Sequence, residues 1–128
     1  MILLDTHALL YWIKNPQNLG EEARKSINKT DRIGIHVISC FEIAILVEKS
    51  KIELDLPVDQ WIADTLSHPK IDLVPLSVAA AVQCTQLPGD FHRDPVDRIL
   101  SAACLINDYS LVTKDGLIEQ WGHIKTIW

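Results

Sequence analysis

Asp5 ends the run "ILLD", Glu42 sits in "SCFEIA", Asp94 and Asp97 stand three residues apart in "FHRDPVDRIL", and Asp115 closes "LVTKD". A lone carboxylate caps a helix or pairs with a cation on a neighbouring side chain. Several that meet at one point hold a hard divalent cation, because all-oxygen ligand sets suit Mg²⁺ or Mn²⁺. Which chemistry applies depends on the elements that carry these acids.

Short β-rich runs alternate with helical patterns along the chain, which predicts an α/β domain with a parallel sheet. Strands are expected at "ILL" (2–4), "RIGIHVI" (32–38), "IDLVPL", "SLVT" and "IKTIW". Helices are expected at "THALLYWIK", "GEEARKSINKTD", "SCFEIAILVEKSK", "PVDQWIADTLSH", "SVAAAVQCTQL", "DPVDRILSAACLIND" and "GLIEQWG". Crossovers between parallel strands are right-handed, so the carboxyl ends of the strands share one edge. Ligands of open α/β sheets bind along that edge. Asp5 directly follows the first strand, Glu42 falls in the first turn of the helix after the second strand, Asp94 and Asp97 open the helix before the fourth, and Asp115 follows the fourth.

Each acid alone has an ordinary explanation. Ser39 and Glu42 have the S-x-x-E spacing of a capping box. Asp94 can cap a helix with Pro95 at its first position and Asp97 in its first turn. Asp5 or Thr6 can cap the first helix, and Asp115 the last. Together, caps explain less. Neighbouring strands lie ~4.8 Å apart, and two like charges at ~4 Å repel by roughly 4 kcal/mol at an effective dielectric near 20. Ser, Thr or Asn would cap without that repulsion. A bound cation accounts for the gathering, provided the first, second and fourth strands are neighbours.

The bulk properties agree. A chain of 128 residues with 48% apolar content suits a single domain spanning 1–128. The formal charge of −5 argues against gripping nucleic acid by bulk positive charge, but not against a nuclease whose acids are offset by metal. No basic leader and no ~20-residue apolar span is present, so no membrane association is expected. Three distant cysteines, Cys40, Cys84 and Cys104, read as free thiols of a cytoplasmic protein. The five histidines form no H-x-x-x-H or H-x-x-H pair, which argues against zinc.

The blocks "LLDTHALLYW", "CFEIAI", "DPVDRILSAAC" and "LVTKD" resemble, in order and spacing, those of PIN-domain proteins, and more narrowly the VapC-like toxins of type II toxin–antitoxin pairs. The resemblance covers nearly the whole chain. It implies a Rossmann-like three-layer α/β/α sandwich around a central parallel sheet, and metal-dependent endoribonuclease activity. It maps the family's acidic quartet onto Asp5, Glu42, Asp97 and Asp115, with Asp94 as an accessory that opens the helix. It also implies an RNA substrate, a cognate antitoxin and a homodimer. The chain departs from the pattern at Phe41, where relatives often carry Trp, and at Leu46, where they often carry Lys. Lys49 and Lys51 are nearby substitutes for a backbone-binding charge.

In the mechanism so implied, Asp5, Asp97 and Asp115 hold one or two Mg²⁺ ions, with Mn²⁺ as a substitute. The metal binds the scissile phosphate and activates a water. Glu42 holds a second ion or orients the water. The Thr6 and Thr113 hydroxyls either steady a ligand or cap helices. Arg93 and Arg98 are expected in solvated salt bridges beside the acids, the alternative being contact with substrate phosphates.

Trp12 and Trp61 are expected in the core or at an interface rather than stacked on bases. His36 is expected in strand packing, and His7 in a structural hydrogen bond near the acidic edge, the alternative being contact with substrate. The apolar helices "ALLYWI" and "EIAILV" are either core or a groove for an antitoxin helix. Two rivals compete with the nuclease. A phosphotransfer site would want an aspartate where His7 stands, or an acidic pair near the N-terminus with an aspartate ending the third strand. A catalytically silent PIN-fold module binding RNA or a partner would have no reason to keep mutually repelling acids.

Overall fold

The computed structural model describes residues 1–128. Five strands form one all-parallel sheet in the order β3-β2-β1-β4-β5. They are β1 (Ile2–Leu4), β2 (Ile33–His36), β3 (Ile71–Val74), β4 (Ser110–Val112) and β5 (Thr126–Ile127). Seven α-helices connect them: α1 (Thr6–Lys14), α2 (Glu21–Lys29), α3 (Val37–Glu48), α4 (Val58–Leu66), α5 (Val78–Gln83), α6 (Pro95–Asn107) and α7 (Gly116–Trp121). A 3₁₀ turn at Pro16–Asn18, absent from the sequence expectation, starts where proline ends α1's continuation.

Period-two alternation assigns the two faces of the sheet. Leu4, Ile33, Ile35 and Val112 point into a core with Leu9, Ile27, Ile43 and Trp61, roofed by α1 to α4. Leu3 and Leu111 point the other way and pack against Leu100, Ala103, Cys104 and Ile118 from α6 and α7. The result is the expected three-layer α/β/α sandwich. Gly34 sits mid-strand because a Cβ there would come within 3.0 Å of Leu3 and 3.2 Å of Val74. No helix is long and apolar enough to cross a membrane.

One boundary moves with consequences. β2 ends at His36, and Val37 and Ile38 already belong to α3. His36, fully buried, caps the helix itself, its Nδ1 accepting the Ile38 N–H at 3.0 Å. The expected Ser39–Glu42 capping box therefore does not form. Ser39 lies buried inside the helix with its hydroxyl unpartnered, and Glu42 falls in the second turn rather than the first. Two β-branched residues after His36 suggest strand locally, but the cap starts the helix at Val37, two residues before the expected Ser39. Trp61 is buried as expected, and Trp12 packs against the same core. The cysteines are free.

Candidate metal centre

β1 lies between β2 and β4, with Leu4 level with Ile35 and with Val112. The residues that follow, Asp5, His36 and Thr113, therefore stand side by side at the carboxyl edge. The adjacency assumed from the sequence holds, and the acids converge. Asp5, Glu42, Asp94, Asp97 and Asp115 line one pocket of about 690 Å³ together with His7, Tyr11, Lys114 and Gln120.

Three of these acids cap helices as well. Asp5 Oδ1 accepts the Ala8 N–H at 2.7 Å. Asp94 Oδ1 accepts the Asp97 N–H at 3.0 Å. Asp115 Oδ1 accepts from Leu117 and Ile118 at 2.8 and 3.2 Å. Capping and clustering are not rivals here, because a cap spends one carboxylate oxygen and leaves the other. The helix N-termini also favour negative charge at these positions.

The acids nonetheless carry an uncompensated cost. Burial raises the Asp5 carboxyl above its usual range, against the lowering effect of the Thr113 hydroxyl, the Ala8 N–H and His7, while Glu42 adds to the rise. Burial likewise pushes Asp97 up to about 6, with Asp94 and Asp115 adding to the rise and His92 opposing it. Desolvated like charges of this sort are what a cation relieves.

His92 is the residue that sequence reasoning missed. Its Nε2 lies 2.7 Å from Asp97 Oδ2, and ligand atoms of His92, Asp97 and Asp115 all fall within 4.8 Å of one another. A search for paired histidines cannot find a lone imidazole beside carboxylates. Its only sequence signal is its place two residues before Asp94. The donor set is mainly carboxylate with one imidazole in reach, which fits a hard dication such as Mg²⁺ or Mn²⁺.

Other expected site residues lie elsewhere. Thr6 is buried with its hydroxyl unpartnered, outside the pocket. Thr113 is buried and its hydroxyl accepts the Asp115 N–H at 3.1 Å, holding the turn that aims Asp115. Arg98 forms no salt bridge with the acids. Its Nε, Nη1 and Nη2 donate to the carbonyls of His92 (2.8 Å), Cys84 (3.1 Å) and Phe91 (3.0 Å). All three guanidinium nitrogens are spent on carbonyls of the loop before α6, so Arg98 holds that loop instead of the acids. Arg93 is exposed and forms no salt bridge. His7 is exposed and forms no side-chain hydrogen bond; it lines the pocket with its ring tilted beside Tyr11. Lys49 and Lys51 do not line the pocket, whereas Lys114 does, its Nζ 2.9 Å from the Tyr11 hydroxyl. Phe41, which stands where relatives often carry Trp, is 58% exposed and is not part of the core.

A parallel α/β/α sandwich with acids gathered at the carboxyl edge of its sheet defines the class of the domain. The comparisons narrow it: residues 2–122 match the model of the PIN domain, and the chain belongs to that family. It is 34% identical to Ribonuclease VapC22 of Mycobacterium tuberculosis (strain ATCC 25618 / H37Rv), over 99% of this chain and 98% of the relative. Among solved structures, the DNA-bound VapBC of Salmonella typhimurium superimposes with a TM-score of 0.70 at 20% identity, covering 98% of this chain and 97% of that one. A toxin–antitoxin complex from Klebsiella pneumoniae gives 0.69 at 17% identity, covering 97% and 95%.

Proposed function

We propose that this chain is a divalent-metal-dependent endoribonuclease and the toxin of a toxin–antitoxin pair. The observation that carries the proposal is the convergence of Asp5, Glu42, Asp94, Asp97 and Asp115 on one pocket at the carboxyl edge of the sheet. The relative named as a ribonuclease, similar over nearly its full length, supports RNA as the substrate.

Asp5, Asp97 and Asp115 are the residues that hold the metal, with Mg²⁺ the preferred ion and Mn²⁺ a substitute. When bound, the ion supplies Lewis-acid polarisation of a phosphodiester and a more acidic water. The chain supplies the remainder. Asp5 and Asp115 are fixed at the pocket by their own helix caps, and the Thr113 hydroxyl also holds Asp5. Glu42, half-buried and reaching in from α3, accepts a proton from or orients the attacking water. Asp94 holds the first turn of α6 and so aims Asp97. Lys114, the one lysine or arginine lining the pocket, attracts substrate phosphate against the chain's net charge of −5. No serine or cysteine nucleophile is needed. An antitoxin partner is proposed by analogy with the Klebsiella complex, and a homodimer by family resemblance.

The test is a cleavage time course on folded total RNA with Mg²⁺, with Mn²⁺ and with EDTA, beside Asp5→Asn. Discrete cuts that require metal and vanish in the variant are expected. Antitoxin-free, folded protein that binds divalent ions yet cuts no RNA under either metal would overturn the nuclease and favour a silent binding module.

A further inference from the structure

The loop before α6 is built to hold one imidazole against one carboxylate. Arg98 gathers three carbonyls of that loop and its approach, those of Cys84, Phe91 and His92, at 2.8 to 3.1 Å. Phe91 stacks on the His92 ring at 4.4 Å with 20° between the planes. Phe91 in turn meets Trp121 edge-on at 4.9 Å, and Trp121 Nε1 donates to the Pro88 carbonyl at 2.6 Å. The loop is thus tied by α6 at Cys84, Phe91 and His92 and by α7 at Pro88 between them. The imidazole it fixes ends 2.7 Å from Asp97 Oδ2, on the residue next to Arg98.

We propose that His92 is a positioning residue for Asp97, its Nε2–H occupying Oδ2 so that Asp97 meets a cation through Oδ1 alone. An ionised carboxylate only accepts hydrogen bonds, so the nitrogen facing Oδ2 carries the hydrogen. Oδ1 has no hydrogen-bond partner in the protein. Asp97 is the one acid of the metal-holding set whose side chain makes no helix cap, since Asp5 and Asp115 each spend Oδ1 on a cap. The His92 contact does for Asp97 what the caps do for the other two. It removes one oxygen from play and locks the rotamer. Outer partners of this kind typically tune metal affinity by about ten- to a hundredfold. The inference rests on the metal-centre assignment above.

The experiment is calorimetric titration of the whole chain with Mg²⁺ and with Mn²⁺, for wild type, His92→Ala and His92→Gln. His92→Ala is expected to bind both ions about tenfold more weakly. The loss should be similar for the two, because no ligand atom has been removed. His92→Gln, whose amide N–H can reach the same oxygen, should recover most of it. Long-range ¹H–¹⁵N NMR of the wild-type imidazoles gives a readout that no variant's folding can disturb. Nε2 of His92 should remain protonated after Mg²⁺ saturation. Wild-type affinity in His92→Ala overturns the proposal. So does loss of the Nε2 proton on adding metal, or a loss confined to Mn²⁺ that glutamine does not rescue, since either makes His92 a ligand itself. Wild-type protein that binds neither ion overturns the metal-centre assignment as well, and so separates the two failures.

Discussion

Without metal, Asp97→Asn should make this protein more stable at neutral pH, not less. Burial, helped by Asp94 and Asp115 and opposed by His92, raises the Asp97 carboxyl from 3.8 to about 6 in the folded chain. That difference disfavours the native anion by about 3 kcal/mol at most. The side chain is 25% exposed, and solvent screening there reduces the expected gain to about 1–2 kcal/mol, or roughly 3–8 °C in Tm. The sign follows from linkage. The folded pKa lies above the unfolded one, so stability is greatest below 3.8, where both states are protonated, and is lost as pH rises through about 6. The variant has no such loss. Its advantage should be full above pH ~7, fall to about one-third near pH 4.5, and disappear below that. Urea unfolding in EDTA at pH 7.5, 5.5 and 4.5 measures it. An advantage that does not change with pH, or a variant less stable than wild type at pH 7.5, would refute the electrostatic account. Saturating Mg²⁺ should then stabilise the wild type more than the variant, because ligand bound only to the native state adds RT ln(1 + [L]/Kd).

Asp115 separates capping from charge. Asp115→Asn keeps an acceptor for the Leu117 and Ile118 N–H groups and should leave stability nearly unchanged, whereas Asp115→Ala should cost about 1 kcal/mol in urea unfolding. Both should abolish metal-dependent RNA cleavage. Burial pushes the Cys104 thiol up to about 12, so an Ellman titration at pH 8 should modify it only as fast as the protein unfolds. Gly20→Ala would drive a Cβ into the backbone carbonyl carbon and indole of Trp128, and should cost about 1–3 kcal/mol by thermal or urea unfolding.

The long α6 was legible because Asp94, Pro95 and a 3.6-residue apolar repeat all agree, and the observed helix begins at Pro95 with Asp94 as its cap. The β2–α3 junction was less legible. "HVI" has strand composition, and only a buried imidazole bonded back to Ile38 shows that the helix has already begun. Local propensity cannot register a cap made by a residue type that seldom caps. Arg98 was misread for a related reason. Proximity in sequence suggested the acids, while its partners lie up to 14 residues back on a loop whose course no periodicity describes.

The sequence by itself determined the element types, the two-faced sheet and the presence of acids after particular strands, because hydrophobic period and cap chemistry are local properties. Only the tertiary structure decided the strand order that brings Asp5 beside Thr113 and His36, the imidazole set against Asp97, and Lys114 as the pocket's own cation. Those depend on which strands become neighbours and where loops are tied. They are long-range outcomes of packing and backbone hydrogen bonding, and no spacing within one segment specifies them.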